Sequence, residues 1–289
     1  MVWRALFLFS LAFLTSSFIS SINEQSPPRR YFGSATDQGL RRYQEDRILA
    51  VSNHTQFGVF GVFDGHGGAQ ASDLAASLFY PRFVRHLSSQ GGDLRRHALE
   101  KSLRSTLGDV EDAVLGNQIT AGSTACVAVV TSEFVLVANV GDSRALVCAA
   151  GSPASAPRLK AVQLSRDHHP EVPEERARIE AAGGRVVFTG AVYRVDGALA
   201  MSRAIGDAEF KSHGVIATPE FTEYSIAEAG AGSYLLLTSD GVFETMSNEE
   251  VCRTMGSGST SLDEMASRIV RRALDRGSSD NVSVIVVPL

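Results

Sequence analysis

Cysteine is scarce in this chain, and its spacing excludes two kinds of thiol chemistry. Only three cysteines occur in 289 residues: Cys126, Cys148 and Cys252. No pair forms a CxxC motif, so neither a zinc site nor a thiol redox centre is indicated. Because all three stand in apolar or helical contexts, we predict that they are small buried hydrophobic side chains.

Sequence motifs for three other kinds of chemistry are also absent. No GxSxG pentapeptide occurs, which leaves out an esterase-type serine nucleophile. No cysteine is followed by arginine six positions later, so the loop of a thiolate phosphatase is missing. The dipeptide Gly-Lys does not occur, which removes a Walker-type nucleotide loop. The net charge of -5 gives no electrostatic reason to expect nucleic acid as a partner.

The composition is that of an ordinary globular protein, with 44% hydrophobic and 20% charged residues. From about residue 31 onward there is no second linker, no repeat and no low-complexity segment. We therefore predict one domain over residues 31–289, and we expect a monomer. The only loose stretch, residues 151–157, is predicted to be a surface loop.

The N-terminal segment differs from the rest of the chain. Residues 5–19 are almost wholly apolar and follow a single positive charge, which is typical of a secretory signal peptide. We predict a signal peptide or signal anchor over residues 1–21, a linker over residues 22–30, and entry to the secretory pathway. Contact with a membrane is expected only if residues 1–21 stay as an anchor. A plastid or mitochondrial transit peptide is the alternative, because the first thirty residues contain one acid and many serines.

A secretory location would make Asn53-His54-Thr55 a glycosylation acceptor in a loop. Such triplets occur often by chance. Glycosylation of Asn53 is therefore predicted only if the chain enters the secretory pathway.

Apolar runs between turn residues predict many strands. They cover residues 47–51, 56–63, 124–130, 133–140, 145–149, 161–164, 185–188, 234–238 and 282–287. Helical spacing predicts helices over residues 69–87, 174–182 and 262–274. Two more helices are predicted to begin at Asp93, as a cap, and at a Ser247–Glu250 capping box. A two-residue turn, Thr131-Ser132, joins two of the strands. Hairpin-linked strands with blocks of helices predict an α+β fold with antiparallel sheets covered by helices.

Acidic residues stand where the predicted strands begin or end. They are Glu45, Asp46, Asp64, Asp142, Asp240 and Asp280. Opposite residues of an antiparallel pair have a constant index sum, so a turn centred near Thr55 places Asp46 opposite Asp64. Asp240 and Asp280 would meet in the same way if their two strands run antiparallel in one sheet.

Such a group of carboxylates needs a compensating charge, because like charges at close range oppose one another's ionisation. Divalent cations supply that charge, and an all-oxygen set of ligands suits magnesium or manganese rather than zinc. Since the nucleophile motifs are missing, the sequence predicts a hydrolase that uses metal-activated water.

The turn Asp64-Gly65-His66-Gly67-Gly68 leads into a helix and brings further groups to the acids. Gly65 has no side chain, so its carbonyl can approach a metal ion closely. His66 is near enough to Asp64 to protonate a leaving group. Arg41 is predicted to clamp two phosphate oxygens. The alternative for each is a structural or solvated residue.

The chain resembles the type 2C, metal-dependent (PPM) protein phosphatases from about Gly33 to its C-terminus. Nine family-like blocks occur in the family's order, and that leaves little room for chance. They are 41–46 (RRYQED), 62–68 (VFDGHGG), 122–125 (GSTA), 139–144 (NVGDSR), 167–170 (DHHP), 182–184 with Val186, 199–207 (LAMSRAIGD), 239–241 (SDG) and 279–283 (SDNVS).

The resemblance implies a central sandwich of two antiparallel β-sheets flanked by α-helices, in four α-β-β-α layers. It also implies two Mg²⁺ or Mn²⁺ ions at one end of the sandwich and phosphorylated proteins as substrates. By this resemblance Asp64 would bridge both ions, Gly65 would offer its carbonyl, and Asp240 and Asp280 would bind the second ion. Glu45 and Asp46 would act through water or hydrogen bonds. Arg41 would hold the phosphate, and His66 would protonate the leaving oxygen.

Further implications of the resemblance concern residues around this centre. Asp142, with Asp240, would hold a weaker third ion. Arg203 and Asp207 look structural. Four residues depart from common family choices without replacing a proposed ligand; they are Gln44, His169, Phe243 and Glu244.

Two other functions remain open on the sequence alone. One is a phosphatase-like regulatory module without turnover, which loss of Asp64, Asp240, Asp280 or Arg41 would favour, but all four are present. The other is a metallohydrolase that acts on small phosphomonoesters. Comparing a phosphoprotein with a small phosphomonoester as substrate separates that alternative from a protein phosphatase.

Overall fold

The computed structural model describes residues 32–52, 56–150, 159–256 and 261–289. The predicted signal segment 1–21, the linker 22–30, the triplet Asn53-His54-Thr55 and the loop 151–157 lie outside the described residues. None of the helices in the described ranges has the length and apolar character needed to cross a bilayer.

Two five-stranded antiparallel sheets form the centre of the molecule. The first contains β1 (Gly33–Asp37), β8 (Arg144–Ala149), β9 (Lys160–Gln163), β14 (Tyr234–Thr238) and β15 (Val282–Pro288). The second contains β2 (Arg47–Val51), β3 (Gly58–Phe63), β6 (Ala125–Val130), β7 (Phe134–Val140) and β13 (Glu220–Ser225). Their strand orders are β1-β15-β14-β8-β9 and β13-β7-β6-β3-β2.

Two smaller sheets and several helices complete the described structure. A three-stranded sheet pairs β4 (Gly65–His66), β5 (Gly122–Ser123) and β12 (Ile205–Gly206), and a hairpin pairs β10 (Val186–Phe188) with β11 (Tyr193–Val195). The helices are α1 (Gln70–Ser89), α2 (Arg96–Gly116), α3 (Pro173–Ala181), α4 (Ala208–Lys211), α5 (Ile226–Ala229), α6 (Asn248–Thr254), α7 (Leu262–Asp275) and a 3-10 turn (Asp240–Val242).

Three hydrophobic cores separate four layers. In β15, Val284 and Val286 face the core under α6 and α7, whereas Ile285 and Val287 face the core between the two sheets. The opposite face of the second sheet packs on α1 and α2 through residues such as Phe79. Because side chains alternate between the faces of a strand, a strand buried on both faces is apolar throughout. The predicted α+β fold with an α-β-β-α sandwich is confirmed.

Local predictions from the sequence have mixed outcomes. The Ser247–Glu250 capping box at the start of α6 is present in both directions. The Asp93 cap is wrong: α2 begins at Arg96, and the Asp93 carboxylate instead accepts hydrogen bonds from the backbone and side chain of Arg95. The turn between β6 and β7 is shifted by one residue, because Val130 pairs with Val135.

The prediction that the cysteines are buried is confirmed for all three, but two of them form a bond that the sequence did not indicate. Cys126 is free and fully buried between the sheets, and burial raises the pKa of its thiol. Cys148 on β8 and Cys252 on α6 form a disulfide, with Cα atoms 5.4 Å apart. They are 104 positions apart, so no local spacing indicates the bond, and only packing in the same core brings them together.

Candidate active site

The antiparallel register places the acids from strand ends together, as predicted. Arg47 pairs with Phe63, so Asp46 and Asp64 occupy the next position at the end of the β2–β3 pair. β14 and β15 are antiparallel neighbours, so Asp240 and Asp280 lie at the same edge of the first sheet. The condition that the sequence left open for these two residues is therefore met.

A hydroxyl group joins the two sheets at this edge. The Ser239 Oγ at the end of β14 donates to the Asp46 Oδ2 before β2 at 2.8 Å, and it accepts from the Ser283 backbone N–H at 2.9 Å. The backbone of Asp64 is bound to Thr124, whose Oγ1 accepts from the Asp64 N–H at 3.0 Å. The acids therefore stand on backbone positions that both sheets fix.

The acid cluster, defined as Asp46, Asp64, Asp142, Asp240 and Asp280, is buried at Asp46 and Asp142 and partly buried at the other three. Burial, strengthened by the charges of Asp46 and Asp240, raises the pKa of Asp64 well above its usual range. Burial and the charges of Asp142 and Asp280 do the same to Asp240. Hydrogen bonding with Asp64 lowers the pKa of Asp46 and of Asp240 and so opposes part of the effect of burial.

Three oxygens of the cluster are buried and unsatisfied in the described part of the chain. They are the Oδ1 atoms of Asp46, Asp142 and Asp240. Buried carboxylates are normally paired with cations, hydrogen-bonded or coordinated to metal ions. The three oxygens come from different strand ends, so a cation among them would satisfy groups that the fold itself leaves without partners.

The carboxylate oxygens of the acid cluster suit Mg²⁺ or Mn²⁺ better than a metal ion that is held by protein side chains alone. Within residues 32–52, 56–150, 159–256 and 261–289, no group of three or more His, Cys, Asp or Glu side chains is arranged so that side chains alone could hold a metal ion. Mg²⁺ usually keeps several waters and takes only one or two carboxylates. Neither histidine nor cysteine belongs to the cluster, which argues against zinc.

Gly65 and Glu45 are held against each other by backbone contacts. A Cβ on Gly65 would lie 2.6 Å from the Glu45 carbonyl oxygen and 2.7 Å from the Ser72 Oγ, so only glycine fits there. The Ser72 hydroxyl donates to that same carbonyl at 2.5 Å. The sequence predicted this glycine from access to a metal ion, and packing against Glu45 gives an additional reason for it.

Arg41 lies at the rim of the acid cluster. Its Nη2 donates to the Asp280 Oδ2 at 2.6 Å, and 56% of its side chain is exposed. The nearby charges that act on it also include Asp240 and Asp64. Asn281 holds the loop that carries Arg41, because its Nδ2 donates to the carbonyls of Gln38 and Tyr43. The guanidinium is thus available to solvent while its loop is fixed.

His66 reaches the site through the three-stranded sheet and has a partner that the sequence did not reveal. Its Nε2 is 2.7 Å from the Oδ2 of Asp207, a residue predicted to be only structural. The two residues are 141 positions apart, so no local spacing indicates the pair. In that sheet His66 is two residues from Asp64 and pairs with Gly122.

Asp142 follows the buried end of β7, and burial raises its pKa. The backbone before it is fixed by His168, whose Nδ1 accepts from the Gly141 N–H at 3.0 Å. Arg203, expected to be structural, makes a two-pronged ion pair with the buried carboxylate of Glu175. Arg203 therefore does not belong to the acid cluster.

Comparisons with known proteins all lead to one family. A sequence model of the family described as "Protein phosphatase 2C" matches residues 31–282. A relative from Arabidopsis thaliana, "Probable protein phosphatase 2C 59", is 38% identical, with 89% of this chain and 78% of the relative covered. A protein of the same name from Oryza sativa subsp. japonica is 36% identical, with 89% of this chain and 75% of the relative covered.

Solved structures of similar fold cover most of the chain. A serine-threonine phosphatase 2C from Toxoplasma gondii superposes with a TM-score of 0.79 at 23% identity, over 91% of this chain and 96% of its own. A sex determining protein from C. elegans superposes with a TM-score of 0.79 at 26% identity, over 94% of this chain and 68% of its own.

Proposed function

We propose that this chain, which belongs to the protein phosphatase 2C family and is a protein-serine/threonine phosphatase, hydrolyses phosphoserine and phosphothreonine in proteins with a water activated at two Mg²⁺ or Mn²⁺ ions. The observation that carries this proposal is the set of buried, unsatisfied carboxylate oxygens at one edge of the two sheets. Family membership alone would not say which residues of this chain hold the ions.

Asp64, Asp240, Asp280 and the Gly65 carbonyl would hold the two ions, and Asp46 would act on a water through its free Oδ1. When bound, the ions supply positive charge for the phosphoryl oxygens and lower the pKa of the attacking water. Glu45 stands beside Asp46, at the position from which a water-mediated contact would come. A third, weaker ion at Asp142 and Asp240 is supported by the unsatisfied Oδ1 atoms of both.

Two side chains act on the phosphorylated residue. Arg41 would turn its exposed guanidinium from Asp280 to the phosphate, since arginine binds two phosphate oxygens at once. His66 would protonate the leaving serine or threonine oxygen, because an alkoxide leaves poorly without a proton. The exposed position of Arg41 at the rim suits a substrate that is part of another protein.

The test is release of phosphate from phosphoserine and phosphothreonine peptides by the purified chain, with and without Mn²⁺ or Mg²⁺. We expect activity that a chelator abolishes. Asp64→Ala should abolish turnover, whereas Cys126→Ala, which changes the core between the sheets, should leave it largely intact. Absence of turnover on every phosphopeptide with both metals would overturn the proposal and favour a regulatory module. Activity on small phosphomonoesters alone would favour a small-molecule phosphatase.

We also propose that the chain enters the secretory pathway, with residues 1–21 as a signal peptide or anchor, and works as a monomer. The proposal is supported by the Cys148–Cys252 disulfide, because such bonds form and persist mainly in oxidising compartments. A fluorescent fusion with and without residues 1–21 tests it. Secretory location only with the segment present is the expected result, and a plastid or mitochondrial signal would contradict it.

A further inference from the structure

We propose that Asp207 is a positioning residue: it binds the His66 imidazole and fixes the ring orientation from which His66 acts on the leaving group. The inference deepens the proposed function and rests on it for its catalytic part. The pairing itself is a statement about this chain's own side chains, and it can be tested separately.

The three-stranded sheet brings the two residues together. In this sheet β5 is the central strand, so Gly122 pairs with His66 on one side and with Gly206 on the other. Asp207 directly follows Gly206 and is 5% exposed. A contact between residues 141 positions apart therefore depends on three strands of two residues each.

The absence of a side chain at Gly122 leaves the space that the His66 and Asp207 side chains occupy. A Cβ on Gly122 would overlap both the Oδ2 of Asp207 and the Nε2 of His66, so only glycine leaves room for their hydrogen bond. Asp207 itself has a φ of 52°, in the left-handed region that most non-glycine residues avoid. A strained, buried aspartate whose carboxylate faces a histidine is typical of a functional constraint.

Further contacts fix the backbone that carries Asp207. The Gly206 N–H donates to the Glu111 Oε2 of α2 at 2.7 Å. Lys211 of α4 binds the Glu111 Oε1 at 2.6 Å and donates to the Ala204 carbonyl at 2.7 Å. The support for Asp207 thus comes from two helices as well as the sheet.

The contact determines which ring nitrogen remains available. Because Nε2 faces Asp207, Nδ1 is the ring nitrogen that the protein itself leaves without a partner. The Nδ1 of His66 is buried and has no hydrogen-bond partner among the described residues. A carboxylate that binds one imidazole nitrogen sets the orientation of the other, as in known acid–base and metal sites.

The chain offers a matched control for this pair. Asp196 is also a left-handed aspartate, with a φ of 51°, and its Oδ2 is 2.5 Å from the Nδ1 of His213. Its other contacts are with Arg185 rather than with the acid cluster. Glycine suits left-handed backbone, so Asp207→Gly and Asp196→Gly each remove a carboxylate without adding backbone strain.

The test compares a phosphothreonine peptide with p-nitrophenyl phosphate, whose acidic leaving group needs no protonation. For Asp207→Gly we expect kcat to fall about 10²-fold on the peptide and less than about threefold on p-nitrophenyl phosphate, since general acid assistance is worth at least that much. Asp207→Asn, which keeps an acceptor oxygen, should recover part of the loss. Asp196→Gly should leave both rates unchanged.

Equal losses on both substrates would overturn the inference, because they would show a structural role only, and so would unchanged rates on both. If Asp207→Gly does not fold, the loss of kcat on the peptide is compared with the loss on p-nitrophenyl phosphate for Asp207→Asn instead. Nuclear magnetic resonance of the metal-free chain tests the pairing without turnover. Asp207→Gly should remove the protected imidazole N–H signal of His66, whereas Asp196→Gly should keep it; an unchanged His66 signal in Asp207→Gly would overturn the inference even in an active enzyme.

Discussion

Two groups of buried carboxylates in this chain differ in how their charge is compensated. The Glu175 side chain of α3 is 1% exposed and accepts hydrogen bonds from Arg203, Arg178 and Ser202. Burial opposes its ionisation, but these donors outweigh burial and hold the pKa of Glu175 well below its usual range. In the acid cluster, burial and mutual repulsion act together and raise the pKa values of Asp64 and Asp240.

The difference shows which carboxylates the fold uses for stability and which it reserves for function. Arg203 and Arg178 supply the positive charge that compensates Glu175, so the charge of Glu175 supports the native state. Among the described residues, the one ion pair of the acid cluster is that of Arg41 with Asp280 at the rim. A site of this kind lowers the stability of the metal-free protein and becomes favourable only when cations bind. Each of the following variants changes one side of this comparison.

The largest effect is expected when the acid cluster loses a ligand. Asp240→Asn keeps the size of the side chain but removes a charge that would bind a metal ion. We expect phosphopeptide turnover to fall by about 10³-fold or more, because charge stabilisation at a metal site is worth several kcal/mol. Calorimetric titration with Mn²⁺ should show weaker binding. Normal affinity for Mn²⁺ together with normal turnover would contradict the assignment of Asp240.

The opposite side of the comparison is tested at Glu175. Glu175→Gln removes the charge and leaves Arg203 and Arg178 without their buried partner. We expect the free energy of unfolding in urea to fall by about 3 kcal/mol, because breaking a buried ion pair from one side costs about 3–5 kcal/mol. Affinity for Mn²⁺ should stay unchanged. A loss of metal affinity as large as that of Asp240→Asn would show that the two sites are not separate.

The disulfide provides a loss of stability that does not involve charge. Replacing Cys148 and Cys252 together by alanine should lower the free energy of unfolding by about 2–4 kcal/mol, the usual range for a native disulfide. The reason is that a link over 104 positions restricts the unfolded chain. Dithiothreitol should destabilise the natural chain but not the double variant. If the reductant has no effect on the natural chain, the bond does not form in solution.

The sequence predicted those features of the site that depend on strand ends, and it missed those that depend on long-range packing. Index sums placed Asp46 opposite Asp64, because a hairpin fixes its register locally. β13 has the sequence EFTEYS and no apolar run, so its pattern did not indicate a strand. Two-residue strands such as β4 and β12 carry no periodicity at all. The Asp207–His66 pair depends on those short strands and was missed for that reason.

The pH dependence of stability separates the natural chain from Glu175→Gln. The folded pKa of Glu175 is below its usual value of 4.5, so its contribution is complete above the unfolded pKa and is lost as the pH falls through that value toward the folded pKa. Below pH 4.5, the stability difference between the two proteins should shrink by at most about 1.4 kcal/mol per pH unit. The other acids titrate in both proteins and cancel. A difference that grows on acidification would contradict the assigned partners.

The smallest effect has the opposite sign to every loss above. In the metal-free protein, Asp240→Asn removes one of several like charges from a buried group, so repulsion from Asp64 and Asp142 decreases. We expect the free energy of unfolding near pH 7 to rise by about 1 kcal/mol, as is common when a functional charge is removed. Excess Mn²⁺ should reverse the order, because only the natural chain gains the full stabilisation of bound ions. Urea unfolding of both proteins, with chelator and with Mn²⁺, measures the crossover. The contradicting result is a variant that is less stable than the natural chain in chelator. The amide would then lose hydrogen bonds worth more than the repulsion that it relieves. The carboxylates of the acid cluster would in that case be satisfied without metal, as Glu175 is.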